Sequence, residues 1–254
     1  MENTVRIALC GCFGKMGKIV SEEVKKNPNM EIVAGIDRSN RKSDEFSVFR
    51  DATAINVDCD VILDFSHPSS LESLLSFAIS HRIPLVLCTT GYSDNQVEKI
   101  HESSKKIPIF WSSNTSIGIS VLIEISKIAK EILGKEFDIE IIEKHHNKKI
   151  DSPSGTALMI AESVSDENTE YVYDRTKSKN ARKQNEIGIH SIRCGGIKGE
   201  HEIIFASEHE VLSFKHSADS REVFAKGALK AVMSIKNMKP GLYNMENILN
   251  FKNK

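Results

Sequence analysis

The residues with the clearest chemical potential form the segment EKHHNKKIDSPSGT, residues 143–156. Five of the six residues in the stretch 144–149 can carry positive charge. The turn at residues 154–156 then opens an apolar run with a helical pattern, and backbone N–H groups at a helix N-terminus favour a carboxylate or a phosphate. The segment therefore predicts an anion-binding catalytic loop for a small acidic substrate. A solvated basic turn is the alternative interpretation.

A second candidate site lies in the glycine-rich segment GCFGKMG, residues 11–17. Gly11, Gly14 and Gly17 lie between an apolar strand pattern and a helical pattern. In that context a glycine turn lets the backbone approach a pyrophosphate at the helix N-terminus. The spacing is GxxGxxG, with Phe13 at the position of the middle glycine in the commoner GxGxxG. These residues predict a dinucleotide site, and a tight turn without a ligand is the alternative.

Asp37 supports the dinucleotide interpretation, because it ends the second apolar run twenty residues after Gly17. An acidic residue at this place can bind the ribose hydroxyls of the adenosine. Arg38 follows directly, and its guanidinium can bind a 2′-phosphate and stack on adenine. The pair predicts use of both NAD and NADP with a preference for NAD. A polar strand exit is the alternative.

Two further turns follow apolar runs at the edge where such a sheet binds ligands. They are the segments 88–91 and 112–115, with the sequences CTTG and SSNT. Small hydroxyl-bearing residues there leave room for a nicotinamide and can bind its carboxamide. Ordinary turn chemistry is the alternative interpretation.

The elements that must position these residues alternate over the first hundred or so positions. The candidate strands are residues 4–10, 30–36, 60–65, 83–89 and 107–112. The candidate helices are residues 15–26, 69–81 and 94–105, the last of them capped by Ser93. Alternation with nearly continuous apolar strands predicts an α/β fold with a doubly wound parallel sheet. The polar stretch 38–50 is interpreted as a surface connection.

The pattern changes after about residue 117. A long helical pattern over residues 119–133 precedes the strand FDIEIIEKH, the basic loop and a second helix. After the polar stretch 165–185, alternating runs predict further strands in GIHSIRC, HEIIFASE and VLSFKHS. These features predict a second, α+β domain with a mostly antiparallel sheet. Residues 221–235 are expected to be helical, and residues 241–251 form a short terminal segment.

Composition excludes several classes of protein. A formal net charge of −1 over 254 residues argues against a nucleic-acid binder. No apolar run reaches the ~20 residues of a membrane span, and the first run is unlike a signal peptide. Five cysteines, an odd number, indicate reduced, buried thiols in a cytoplasmic protein. The spacing of Cys10 and Cys12 does not favour a zinc site, and no metal is expected.

The segments EKHHNKKIDSPSGTA, GCFGKMG, CTTGY, SNTSIG and RCGGIKGEHEIIF closely resemble the 4-hydroxy-tetrahydrodipicolinate reductase family, also called dihydrodipicolinate reductase. The resemblance extends over essentially the whole chain. It implies an N-terminal Rossmann-type domain, residues 1–116, which the C-terminal segment 221–254 joins. It also implies a substrate-binding and oligomerisation domain, residues 117–220, that builds a homotetramer.

The resemblance also implies a reaction. NADH or NADPH would transfer a hydride to 4-hydroxy-tetrahydrodipicolinate, a cyclic dicarboxylate, and give tetrahydrodipicolinate in the diaminopimelate route of lysine biosynthesis. His145 would be the proton donor or acceptor, and Lys149 the general acid. The candidate substrate-binding residues are His146, Ser154, Gly155 and Thr156. The candidate cofactor-binding residues are Gly11, Cys12, Phe13, Gly14, Lys15, Met16, Asp37, Arg38, Cys88, Thr89, Thr90, Ser112, Ser113, Asn114 and Thr115.

Two alternatives to this function remain. One is a different two-domain Rossmann dehydrogenase, which the glycine turn permits but the segment HHNKKIDSPSGT does not favour. The other is a noncatalytic NAD-sensing regulator, for which the second domain should carry a nucleic-acid or partner surface. The sequence has no basic helix or aromatic-basic stripe that would favour the regulator.

Overall fold

The computed structural model describes residues 4–39, 41–177 and 179–251 of the chain. It separates into two compact units. The first unit combines Met1–Ser116 with Arg221–Lys254, and the second unit is the continuous stretch Ile117–Ser220.

The first unit is built on a seven-stranded sheet. Its strands are β1 (Val5–Cys10), β2 (Met30–Ile36), β3 (Ser47–Phe49), β4 (Val61–Asp64), β5 (Leu85–Leu87), β6 (Pro108–Trp111) and β12 (Gly241–Tyr243). Their spatial order is β12-β6-β5-β4-β1-β2-β3, and all neighbours are parallel. The direction of winding reverses between β1 and β4, and in open α/β sheets such a reversal opens a ligand crevice at the carboxyl ends of the strands.

Both faces of this sheet are covered, as the apolar runs predict. The helices are α1 (Lys15–Lys25), α2 (Leu71–His81), α3 (Asp94–Ser104), α6 (Glu222–Ile235) and α7 (Met245–Leu249). Ile7 and Leu9 of β1 belong to one buried cluster together with residues of α1 and α6. Ala8 and Cys10, which point to the opposite face, belong to a second cluster with α2 and α3. The prediction of a doubly wound parallel sheet is therefore confirmed.

The predicted helix start at Ser93 is confirmed, because Ser93 and Gln96 form a capping box at the beginning of α3. The interpretation of residues 38–50 as a surface connection is wrong in part. The stretch contains β3, which pairs with the carboxyl end of β2 at the edge of the sheet. A three-residue edge strand is stabilised by its ladder hydrogen bonds, so its sequence carries little of the alternating pattern that reveals longer strands.

The second unit contains a five-stranded sheet and two long helices. Its elements are α4 (Ile117–Leu133), β7 (Asp138–His145), α5 (Gly155–Ser163), β8 (Glu170–Val172), β9 (Glu186–Arg193), β10 (Gly199–Ala206) and β11 (Val211–Ala218). The spatial order is β11-β10-β7-β9-β8. β10 pairs antiparallel with β7 and β11, whereas β9 pairs parallel with β7 and β8.

The second sheet is therefore mixed, and the expectation of a mostly antiparallel sheet is corrected to that extent. The physical reason is α5, which returns the chain to the starting end of the sheet after β7. A helical crossover of this kind makes the next strands parallel to the strand before it.

Strand β7 places its residues alternately on the two faces of the second sheet. Ile139, Ile141, Glu143 and His145 are all buried on one face, where the first two contribute to the core beneath α4 and α5. On this face of β7, Ile139 and Ile141 are thus apolar core residues, and Glu143 and His145 are ionisable residues at the carboxyl end. This alternation positions the candidate site at the carboxyl end of β7.

Within the described ranges, no helix is long and apolar enough to cross a membrane. The five cysteines are free, and four of them are buried, namely Cys10, Cys12, Cys59 and Cys88. Cys194 is exposed, so the expectation of buried thiols is wrong for this residue. It lies beyond the end of β9, in the turn that leads to β10, where the chain leaves the core.

Candidate active site

The basic loop joins the carboxyl end of β7 to the start of α5, and backbone hydrogen bonds fix its course. The carbonyl of His145 accepts from the N–H of Cys194 at 2.9 Å, and the N–H of Asn147 donates to the carbonyl of Gly195 at 3.2 Å. The N–H of Lys149 closes a turn onto the carbonyl of His146 at 3.1 Å. The turn after β9 therefore holds the first half of the loop in place.

Lys149 is largely shielded by its surroundings, and its side chain is 20% exposed. Its Nζ donates to both carboxylate oxygens of Asp151, at 2.8 Å and 2.7 Å. This ammonium group lowers the pKa of Asp151. The Asp151 side chain is 62% exposed, so the ion pair is screened by water and its partner can be exchanged at modest cost.

Glu143 is fully buried and receives several hydrogen bonds. Arg193 donates to both carboxylate oxygens, at 2.7 Å and 2.8 Å, and the N–H of Ser154 donates at 3.1 Å. Nδ1 of His145 lies 2.6 Å from Oε2. Burial alone would raise the pKa of Glu143, but hydrogen bonds from His145, Arg193 and Ser191 outweigh burial and hold it well below its ordinary value. Glu143 is therefore an anion at neutral pH.

An ionised carboxylate only accepts hydrogen bonds, so the nitrogen that faces Glu143 must carry the hydrogen. In neutral His145 this is Nδ1, which leaves Nε2 as the nitrogen that can take up and release a proton. A Cβ atom at Gly199 would lie 3.1 Å from Nε2. A side chain at position 199 would press on the imidazole, and glycine avoids this close contact.

His201 is buried beside these groups. Its Nε2 lies 2.9 Å from Oγ of Ser154, and its ring centroid is 5.2 Å from that of His145. Burial, together with the nearby His145, lowers the pKa of His201 to about 3. His201 is therefore neutral at physiological pH and supports Ser154 without adding charge to the site.

Ser154 is the N-cap of α5, and its Oγ accepts from the N–H of Ala157 at 3.1 Å. Gly155, the first helical residue, is exposed, and apart from its chain neighbours and the backbone of its own helix no described residue comes within 4 Å of where its Cβ would be. Thr156 is half-buried in the same turn. The positive end of the helix dipole therefore borders open space at Gly155, as an anion-binding site requires.

In the first unit, the turn between β1 and α1 is fixed by close backbone contacts. Gly11 has a φ of +76°, and an added Cβ there would lie 2.5 Å from the carbonyl oxygen of Phe65. An added Cβ at Gly17 would lie 2.2 Å from the carbonyl oxygen of Gly11. Gly14 is the exposed N-cap of α1. The backbone amides of this helix start have no side chain at Gly14 above them, so the turn fits a dinucleotide pyrophosphate.

Asp37 lies beside this glycine turn at the end of β2. Its carboxylate accepts from the N–H of Phe13 at 3.3 Å and from the N–H of Ser39 at 2.9 Å. Burial would raise the pKa of Asp37, but these two residues lower it overall. Arg38 is exposed, and its guanidinium donates to Oγ of Ser69 at 2.8 Å. An anionic acceptor and an exposed cation are thus adjacent at the carboxyl edge of the sheet.

The remaining candidate cofactor residues fall into two groups by exposure. Lys15 and Thr90 are exposed, whereas Cys12, Cys88 and Thr89 are buried. Met16 packs against the core beneath the sheet. Burial raises the pKa of the Cys88 thiol well above its ordinary value, so this cysteine is a small apolar residue here.

The turn after β6 is tied together by its own side chains. Oγ of Ser112 donates to the carbonyl of Asn114 at 2.6 Å, and Oδ1 of Asn114 accepts from the N–H of Ser116 at 2.8 Å. Thr115 is buried, and its hydroxyl donates to the carbonyl of Phe224 in α6 at 2.7 Å. Ser113 is exposed. Thr115 therefore anchors α6, and the exposed Ser113 is the more accessible hydroxyl.

Sequence reasoning did not select Glu143, Arg193 or His201 as functional residues. The period of two along β7 could have placed Glu143 on the same face as His145, because the two are two positions apart. Arg193 and His201 come from β9 and β10, and only the pairing of those strands with β7 brings them to the site.

Two family models match this chain. The model described as the N-terminus of dihydrodipicolinate reductase matches residues 5–115, and the model of its C-terminus matches residues 118–249. This chain belongs to the dihydrodipicolinate reductase family. The resemblance inferred from the sequence is thereby confirmed.

Individual members of the family agree over their full length. The 4-hydroxy-tetrahydrodipicolinate reductase of Clostridium tetani is 52% identical over 249 residues, which is 97% of each chain. The one from Caldanaerobacter subterraneus subsp. tengcongensis is 48% identical and covers 96% of this chain and 98% of its own. The solved dihydrodipicolinate reductase from Paenisporosarcina sp. TG-14, with dipicolinate bound, superposes with a TM-score of 0.80 at 25% identity, covering 96% of this chain and 98% of that one.

Proposed function

We propose that this protein is an NAD(P)H-dependent oxidoreductase that reduces 4-hydroxy-tetrahydrodipicolinate to tetrahydrodipicolinate in the diaminopimelate route of lysine biosynthesis. The observation that carries the proposal is the grouping of His145 and Lys149 next to the N-terminus of α5 in one unit. This places proton-carrying groups beside an anion-binding helix end, and a cyclic dicarboxylate needs both. The names of the full-length relatives support the same reaction.

The substrate would be held by its negative charges. One carboxylate binds at Gly155 and Thr156, where the dipole of α5 and the Thr156 hydroxyl favour an anion, with His146 as a further contact. Lys149 exchanges the screened carboxylate of Asp151 for the substrate dianion. These residues bind and orient the ring before any bond changes.

The 4-hydroxyl group of the substrate leaves as water and a hydride enters the ring, so the reaction also requires a proton, and the chain offers two sources. Nζ of Lys149 is a cation that can attract the dianion and donate a proton to it. Nε2 of His145 can accept or donate a proton, while its Nδ1 stays bound to Glu143. A reduced nicotinamide, when bound, supplies the hydride.

The first unit would bind the dinucleotide at the glycine turn and at Asp37. The amides at the start of α1 receive the pyrophosphate, and the Asp37 carboxylate accepts hydrogen bonds from the ribose hydroxyls. The same carboxylate disfavours a 2′-phosphate by repulsion, whereas Arg38 attracts one. We infer that the protein uses both NADH and NADPH, with a preference for NADH.

An absorbance assay at 340 nm tests the proposal. Purified protein is mixed with NADH or NADPH and with freshly made product of the synthase that precedes it in the route. Substrate-dependent loss of absorbance is expected. Oxidation of the cofactor only with other carbonyl or imine substrates would indicate a different dehydrogenase. Cofactor binding without turnover of any of them would indicate a regulator.

The assembly we propose is a cytoplasmic homotetramer built through the second sheet. The face of that sheet opposite α4 and α5 carries Ile142, Ile192 and Ile204 among charged residues, and Ile192 is 42% exposed. Free thiols support a reducing compartment. Sedimentation equilibrium should give four times the mass of the 28.4 kDa chain. Ile192→Asp should shift the mass toward smaller species, and an unchanged tetramer would show that another surface forms the assembly.

A further inference from the structure

We propose that Glu143 is the residue that positions His145 for proton transfer, by binding Nδ1–H and thereby leaving Nε2 as the nitrogen that exchanges the proton. The inference rests on the proposed function, because that function assigns proton transfer to His145. It adds a third side chain, Arg193, which holds Glu143 itself in place.

The contact between Glu143 and His145 follows from the strand that carries them. The two residues are two positions apart on β7, so their side chains leave the same face of the sheet. Nδ1 and Oε2 are 2.6 Å apart, and both residues are buried. A short hydrogen bond to a buried anion fixes both the tautomer and the plane of the imidazole.

Arg193 keeps the carboxylate from turning away. It donates one N–H to each oxygen of Glu143, and a third donation from the same guanidinium reaches the carbonyl of Asp151 at 2.7 Å. The N–H of Ser154 completes the set at 3.1 Å. One carboxylate thus connects the end of β7, the end of β9, the basic loop and the first turn of α5. The imidazole and the anion-binding helix end are therefore held at a fixed separation.

The other charged and titratable groups around His145 do not replace Glu143 in this role. His201, from β10, is neutral and presents its ring to that of His145 at a tilt of 72°. Lys149 is paired with Asp151, and Arg193 is paired with Glu143. His216 lies on β11, opposite His201 in the strand register. Glu143 is the acceptor in direct contact with the imidazole.

The decisive variant is Glu143→Gln, which keeps the size of the side chain and removes its charge. A glutamine can accept from Nδ1–H or donate to Nδ1, so both neutral tautomers of His145 become populated. Nitrogen NMR of the labelled imidazole should show Nδ1–H alone in the wild type and a mixture in the variant. Turnover should fall on the order of a hundredfold in kcat, with KM nearly unchanged.

Glu140→Gln is the matched control. Glu140 lies on the same strand but on the opposite face, where it also accepts from a histidine, His190, at 2.7 Å and from Arg182 at 3.2 Å. The control removes an equivalent cluster of glutamate, histidine and arginine. It should leave the tautomer of His145 unchanged. If the loss of any such cluster lowered kcat, kcat would fall equally in both variants.

The outcomes separate this inference from the proposed function. A mixture of tautomers with normal turnover would support positioning by Glu143 and contradict the catalytic role of His145. A pure Nδ1–H tautomer in folded Glu143→Gln would overturn the positioning. If that variant does not fold, nitrogen NMR of the wild type tests the inference. Hydrogen on Nδ1 of neutral His145 would support it, and hydrogen on Nε2 would overturn it.

Discussion

At the scale of single residues, two cations at the candidate site already have partners. Lys149 is bound by the exposed carboxylate of Asp151, whereas Arg193 is bound by the buried carboxylate of Glu143. Breaking a buried pair leaves an unpaired charge in the interior, while an exposed pair is worth little. The two cations therefore have different uses, since Arg193 is fixed in the structure and Lys149 is available to a ligand.

Lys149→Ala should abolish most turnover and leave NADH binding near normal. The lysine acts on the dianionic substrate, and loss of one general acid should cost on the order of a hundredfold or more in kcat. Lys148→Ala is the control, because Lys148 is an exposed neighbour in the same loop. Steady-state kinetics and calorimetric titration with NADH measure the two effects. Near-wild-type kcat in Lys149→Ala would contradict the assigned role.

Cofactor choice should depend on Asp37 and Arg38 in opposite ways. Asp37→Ala removes the acceptor for the ribose hydroxyls and the repulsion of a 2′-phosphate, so it should weaken NADH far more than NADPH. Arg38→Ala should mainly weaken NADPH. Calorimetry with both cofactors on both variants checks this, and equal effects throughout would rule out the assignment.

The sequence could predict the site only where its residues are near one another along the chain. Residue types and spacing in the segment 143–156 predict an anion-binding loop, and the family resemblance adds the expected roles of His145 and Lys149. Arg193 reaches Glu143 from fifty positions away, through the parallel pairing of β9 with β7. No local pattern encodes that pairing, and so the buried half of the site becomes visible only in the folded structure.

At the scale of elements, the proposed substrate site lies at the start of α5, where a serine caps the helix. Its N-cap, Ser154, is hydrogen-bonded on both sides, to Ala157 and to His201. Gly155 offers the positive end of the helix dipole to open space. The same turn that stabilises the helix therefore presents the anion-binding groups.

A planar dicarboxylate such as pyridine-2,6-dicarboxylate should compete with the substrate at this helix start. An analogue with a single carboxylate should lose a charge-assisted contact of roughly 1.5 to 3 kcal/mol. Thr156→Val should weaken the dicarboxylate because it removes the hydroxyl and keeps the side-chain shape. Calorimetric titration of wild type and variant measures both losses. Unchanged affinity in Thr156→Val would place the dicarboxylate elsewhere.

Ser154→Ala and Ser93→Ala compare two helix caps of the same type. Each serine caps its helix by accepting from the N–H three positions further along the chain, so each change should destabilise the fold by about 1 kcal/mol. Only Ser154→Ala should also reduce turnover, because it removes the hydroxyl that contacts His201 at the site, while the backbone N–H that binds Glu143 remains. Urea denaturation and the absorbance assay measure the two effects. Equal loss of activity in both variants would show that Ser154 is not part of the active site.

Elements with a strong periodic pattern can be predicted from the sequence, whereas strands that are defined mainly by their pairing with other strands cannot. The boundaries of β2 and the start of α3 follow the sequence pattern closely. β3 is not recognisable in the sequence, because three residues do not establish a period. The parallel half of the second sheet was missed because strand direction depends on the path of α5, which the residues of β8 and β9 do not encode.

At the scale of the whole molecule, two buried ionisable groups make stability depend on pH. The pKa of His201 is about 3 in the fold, below its ordinary value of 6.5, and the pKa of Glu143 is also lowered. As pH falls, the unfolded chain binds these protons before the folded protein does. The His201 contribution is thus lost between pH 6.5 and about 3, and the Glu143 contribution below pH 4.5.

We expect the free energy of unfolding, measured with urea, to decrease by a few kcal/mol as pH falls from 7 to about 4. His201→Gln should make this dependence shallower, because glutamine can still reach Ser154 and does not titrate. His209→Gln is the control, since His209 is fully outside the core. The same slope in His201→Gln as in the wild type would mean that His201 is protonated in the folded protein.

The first unit is built from both ends of the chain, and this affects how the protein folds while it is being synthesised. Its core combines Ile7 and Leu9 with Ala228, Leu229 and Val232 of α6, and β12 pairs with β6. A ribosome synthesises these last residues after the second unit, Ile117–Ser220, is already complete. Until α6 has been synthesised, the apolar sheet face formed by residues up to Ser116 therefore lacks the helix that covers it. An apolar face that is exposed during synthesis is prone to aggregation, and a chain that ended at Ser220 would keep this face exposed.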